Sequence, residues 1–146
     1  MEETMPIRAS RTVVMALTAS LGVSATCLNA QPRDAEATQL MASHQYREIT
    51  FVNESAGDCV MSGVLTLFDH GYAIWSTSTK TNKSTTGDIW HQSIEVSDSS
   101  NRRLFGFGQW DSPRMFVGSE YNWRATGTFP AGFYGSIAGA TSSASC

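Results

Sequence analysis

The side chains best suited to chemistry are few in this chain. Its histidines are His44, His70 and His91, and its cysteines are Cys27, Cys59 and Cys146. An imidazole held against a hydroxyl or carboxylate would give acid–base catalysis, and cysteines would give a bridge, a metal ligand or a nucleophile. His91, Ser93 and Glu95 fall on one face of a candidate strand. On a strand, however, an i, i+4 pair is separated by about 13 Å. His91 and Glu95 are therefore not a preformed acid–base pair. They read as surface residues, or as polar fixtures if that face lines a lumen. His70 occupies the tight-turn signal Asp69-His70-Gly71 and reads as exposed rather than catalytic, and His44 lies in a linker-like stretch. Asp58, Asp69, Asp98 and Asp111 all sit in turn signals, where Asp is a routine turn former. The chain carries no Gly-x-Ser-x-Gly elbow, no His-Glu-x-x-His, no phosphate loop and no run of alternating acids. Sequence spacing thus offers no catalytic residue, no metal site and no cofactor, and a non-enzyme is the expectation.

The aromatic residues say more. Trp75, Trp90, Trp110 and Trp123 are accompanied by Tyr72, Tyr121, Phe105, Phe107 and Phe129. Small β domains use rings to fill a core. The alternative is a ring-lined pocket for an apolar or sugar ligand, since pockets are mainly apolar with a few placed polar groups. In that reading Trp90, Trp110 and Trp123 form the walls, and Gln109, Asn122 and Arg124 are the polar partners.

What must position these residues follows from composition. The chain has 146 residues, a 41% hydrophobic and only 16% charged composition, and a formal charge of −3. Such a length fits one domain. No stretch collects Lys or Arg, so nucleic-acid binding, which needs a basic footprint, is excluded. At the N-terminus Arg8 and Arg11 precede an uncharged stretch, Thr12 to Leu28, and then Asn29-Ala30-Gln31. Positive, apolar, small is the order of an export signal, so residues 1–30 read as a signal peptide. Glu2 and Glu3 are unusual in a leader and suggest a start at Met5. A membrane anchor is the competing reading, but the apolar run is short and rich in Ser, Thr, Gly and Ala, which argues against stable insertion. A lipoprotein anchored at Cys27 is a third, with a poor lipidation signal before it. The expected location is secreted or extracytoplasmic.

Cleavage would remove Cys27 and leave Cys59 and Cys146. An even pair in an exported chain implies a bridge. A cysteine at the last residue makes most sense if it pins the tail to the body. Free buried thiols are the alternative.

Residues 31–45 read as a flexible linker or a short helix, and 46–146 as the folded domain. Strands are expected from Arg47 to Asn53, Val64 to Phe68, Tyr72 to Thr79, Asp88 to Val96, Leu104 to Trp110 and Tyr121 to Phe129. Asp69-His70-Gly71 joins the second and third as a hairpin. In the fourth, Trp90, Gln92, Ile94 and Val96 share a face, opposite Ile89, His91, Ser93 and Glu95. Residues 133–138 read as a helical turn or strand, and 139–146 as a tail of small residues leading to Cys146. The fold class is all-β: a small antiparallel up-and-down barrel of about six strands closed by one disulfide, with a β-sandwich as the alternative.

The stretch from Phe51 to Cys146 resembles a family of small exported bacterial β proteins of unknown function. The likeness rests on Gly57-Asp58-Cys59 with Met61, Leu65-Thr66-Leu67, Asp69-x-Gly71 and a polar stretch to Lys80. It continues through Asp88-x-Trp90, Tyr121-x-Trp123, the Phe129, Phe133, Ile137 segment and the final Ser145-Cys146. Acidic residues expected in the 80–87 loop and after Phe129 are absent. The resemblance implies a disulfide-tied β domain and brings no activity. A weaker likeness, of fold only, is to calycin-type barrels. Three functions stay open: a binding module for a small apolar or carbohydrate ligand, an interaction protein (inhibitor or effector) acting on a protein partner through its loops, and a cofactor-free barrel enzyme. The first is the leading expectation.

Overall fold

A computed structural model describes residues 32–83 and 85–146; the signal-peptide reading of 1–30 lies outside them. The order of elements is helix α1 (Pro32–Ser43), β1 (Tyr46–Ala56), β2 (Cys59–Phe68), β3 (Tyr72–Thr81), β4 (His91–Ser97), β5 (Arg103–Asp111), β6 (Tyr121–Thr128), a 3-10 turn (Ala131–Ser136) and β7 (Gly139–Ser145). No described helix is long and apolar enough to cross a membrane.

Two of the hairpins, β2–β3 and β4–β5, follow from local chemistry. Gly71 closes the β2–β3 turn at φ +87°, and its N–H donates to Phe68 O at 3.0 Å. A side chain there would be strained, and its Cβ would stand 2.4 Å from Phe129 O. Between β4 and β5 the carboxylate of Asp98 holds the turn, with Oδ1 accepting the N–H groups of Ser100 and Arg102 at 2.9 and 3.0 Å. Asn101 supplies the left-handed residue at φ 59°, a conformation Asn tolerates better than most side chains.

Beyond the hairpins the chain stops being a meander. β6 pairs antiparallel with β3, from Tyr72↔Thr128 to Thr79↔Tyr121, and β7 pairs with β4, from His91↔Ser145 to Ser97↔Gly139. The result is two antiparallel sheets, ordered β1-β2-β3-β6 and β5-β4-β7. The expected closed barrel of about six strands does not form. Closure requires β6 to continue from β5, but β6 crosses back to β3, and the segment between them is anchored instead by the Asp88↔Met115 bridge. The arrangement is sandwich-like. The tail of small residues is a seventh strand, which no apolar alternation had marked.

The two sheets share one core. Phe51, Met61, Leu65 and Trp75 from the first meet Ile94, Val96 and Phe107 of the second and Trp90 just ahead of β4, all buried. Trp75 packs edge-on to Phe51 at 5.4 Å and stacks on Trp110 at 6.4 Å. Close approach across the β6–β5 side requires Gly127, because a Cβ there would meet Phe107 Cδ1 at 2.8 Å. On the opposite side Arg47 Nη1 donates to Ile137 O at 2.5 Å, and Ser142 Oγ donates to Glu54. The disulfide Cys59–Cys146 ties the end of β7 to the start of β2, with Cα atoms 6.1 Å apart.

Candidate functional site

Strand alternation sends every second residue of the four-stranded sheet away from the shared core. Register then places Thr50, Val64, Ser76 and Arg124 in one row across all four strands. Ser62, Ser78 and Asn122 form the next row. Val52 joins them beside a bulge between Phe51 and Glu54. There Asn53 adopts φ 51° and its N–H donates to Ser62 Oγ at 2.9 Å. These side chains line an open groove of about 600 Å³. Its surface is about evenly polar and apolar: hydroxyl and amide side chains alternate with Val52, Val64 and parts of Phe51 and Trp123, and Arg124 is its charged side chain among the described residues. Ser78 Oγ also donates to Glu120. Hydroxyl, amide and guanidinium groups in rows offer many donors and acceptors on a firm sheet.

Of the six residues proposed from sequence to share a pocket, three line this groove and three lie elsewhere. Asn122, Trp123 and Arg124 line the groove. Trp123 also packs against the core, and its Nε1 donates to Thr79 Oγ1 at 3.1 Å. Trp90 is fully buried and donates from Nε1 to Gln92 Oε1 at 3.0 Å. Trp110 is half-buried and stacks on Phe107 at 5.0 Å. Gln109 lies on the other sheet, where its Nε2 reaches Asp111 Oδ1 at 3.1 Å and His91 Nδ1 at 3.0 Å.

That second sheet carries a polar cluster of its own. His91 Nδ1 lies 2.7 Å from Asp111 Oδ1. The hydrogen bonds from His91 and then Gln109 hold the Asp111 carboxyl below its usual range, against some desolvation. Glu95, which the strand face shares with His91, pairs instead with Arg103 at 3.3 Å. His91 and Asp111 are cross-strand partners, a pairing that spacing within one strand does not reveal.

A sequence model of a known family spans residues 64–146, more than half of the chain. The chain belongs to that family of unknown function, DUF6294. The DUF6294 span takes in Asp69-x-Gly71, Asp88-x-Trp90, Tyr121-x-Trp123 and Ser145-Cys146, and it begins after Gly57-Asp58-Cys59. It contains every groove residue from β3 and β6 but none from β1. No curated protein and no solved structure matches the chain, so the calycin likeness gains no support from comparison.

Proposed function

We propose that this DUF6294 protein is an extracytoplasmic binding module that takes a carbohydrate-type ligand in the groove on the outer face of its four-stranded sheet. The observation that carries the reading is the double row of hydroxyl, amide and guanidinium groups lining that groove. Sugars present the complementary array of hydroxyls, and the Val52 and Val64 side chains give apolar contact for a ring face. The shared core is filled by Trp75, Trp90 and Phe51, which favours a ligand on the sheet surface over an apolar one in a lumen. A disulfide linking strands β2 and β7 fits an oxidising compartment.

A glycan array probed with the disulfide-closed protein, followed by calorimetry on the best hit, tests the proposal. Arg124→Ala removes charge-assisted hydrogen bonds, so affinity should fall by roughly tenfold to a hundredfold. Asn122→Ala should fall by a smaller factor. Binding unaltered in both variants would remove the groove as the site. No binding to any glycan, with capture of a protein partner that Phe116 or Val117 variants abolish, would favour the interaction protein. Those two side chains are exposed on the loop between β5 and β6.

A further inference from the structure

His44 and His70, separated in sequence by the whole of β1 and β2, meet over one carboxylate. His44 Nδ1 lies 3.3 Å from Asp69 Oδ1, and His70 Nδ1 lies 3.5 Å from the same oxygen. The two imidazole rings stand 4.1 Å apart between centroids. All three ligand atoms fall within 4.8 Å of one another. Among the described residues Asp69 Oδ1 makes no hydrogen bond, although it is shielded from solvent. Both nitrogen distances exceed the usual N–H···O length of about 2.9–3.0 Å.

They match something else. With bonds of about 2.0–2.1 Å, the ligand–ligand edge of a tetrahedral zinc site is about 3.3 Å. An octahedral site with the same bonds has an edge of about 2.9 Å. The backbone holds the three groups in place without help. Asp69 and His70 are the central residues of the turn that Gly71 closes on Phe68. Asp69 N–H donates to Gln45 O at 2.9 Å, and Gln45 N–H donates back to Asp69 Oδ2 at 3.3 Å. This brace occupies one carboxylate oxygen and leaves the other facing the imidazoles, as an outer partner of a metal ligand does. His44 follows α1, its N–H on Leu40 O at 3.0 Å. Phe68 and Tyr72 flank His70 at 5.8 and 6.2 Å.

We propose that His44, Asp69 and His70 form a binding site for a zinc-class divalent cation, with the fourth position open to solvent. Imidazole nitrogens with one carboxylate suit zinc, copper or nickel rather than calcium or magnesium. The site shares no residue with the groove, so it stands or falls separately from the carbohydrate reading.

The test uses tag-free, disulfide-closed protein freed of metal by chelator. Calorimetry with zinc alone should give one equivalent, with affinity at least roughly tenfold weaker in each of His44→Ala, Asp69→Asn and His70→Gln. His91→Gln, at the other imidazole–carboxylate pair, should bind as the parent does. Cobalt substitution should give the intense visible bands of a tetrahedral site. His44→Ala lies outside both sheets, so circular dichroism should match the parent and its readout stays interpretable if Asp69→Asn unfolds. Absence of saturable zinc binding, or parental affinity in both His44→Ala and His70→Gln, would overturn the proposal.

Discussion

Reducing the Cys59–Cys146 bridge isolates one covalent constraint in an otherwise intact fold. The bridge closes a loop of 87 residues. In the chain-entropy account such a loop restricts the unfolded ensemble by about 4.6 kcal/mol at room temperature. A domain of this size has a total stability of roughly 5–15 kcal/mol, so the constraint is a large share of it. The native state should survive reduction, because β7 keeps its whole ladder on β4 and Arg47 still holds Ile137. The effect therefore falls on the unfolded chain. Urea unfolding followed by tryptophan emission, with and without reductant, measures it. The reduced protein should lose about 4–5 kcal/mol, and its dependence on urea should steepen as the released chain exposes more surface. A loss below about 1 kcal/mol with unchanged slope would refute this reasoning.

Gly127→Ala should destabilise by about 1–3 kcal/mol in the same assay, because the added methyl must displace Phe107, and the cost should shrink when Phe107 is shortened to Leu. Trp75→Ala should cost roughly 3–5 kcal/mol, since its ring packs between Phe51 and Trp110 at the centre of the core. Stability should also fall on acidification. Asp98 is held below its ordinary carboxylate range chiefly by the Arg102 N–H, against some desolvation and with help from Ser100 and the Arg102 side chain. Asp111 is lowered chiefly by His91. At Asp69 desolvation raises the pKa, but the Gln45 N–H and the two imidazoles outweigh it. A group with a depressed folded pKa stabilises above its unfolded value and loses that contribution as pH falls through the folded one. Thermal melts should thus hold steady down to about pH 4 and decline below it, and Asp98→Asn should flatten the decline.

Local chemistry made part of this fold legible. Asp69-His70-Gly71 announced its hairpin because only a turn needs those residue types in that order. The alternation of Trp90, Gln92, Ile94 and Val96 marked the buried face of β4, and all of these are buried. Non-local pairing was not legible. Nothing in Tyr121 to Thr128 says that it lies on β3 rather than β5, and that choice decides between a barrel and two sheets. β7 hid because Ala140 and Ser142, its buried residues, are as small as their exposed neighbours.

The site residues divide along the same line. Ring identity does not say which face a tryptophan takes, and Trp90 and Trp123 find their indole partners inside, on Gln92 and Thr79. Asn122, Trp123 and Arg124, consecutive on β6, do reach one groove together. Their neighbours Ser62 and Ser76 were missed, since serine in a strand carries no signal until register aligns it with others. His44 and His70 read as unrelated because only the Gln45–Asp69 brace brings them together.

Under the proposed function the ligand lies on the outer face of the four-stranded sheet. Backbone-amide NMR titration with the best-binding glycan tests it most directly. Shifts should concentrate at Thr50, Ser62, Val64, Ser76, Ser78, Asn122 and Arg124 and be lost together in Arg124→Ala. Shifts concentrated instead on the second sheet around His91, Gln109 and Asp111, or on the Phe116–Val117 loop, would contradict it.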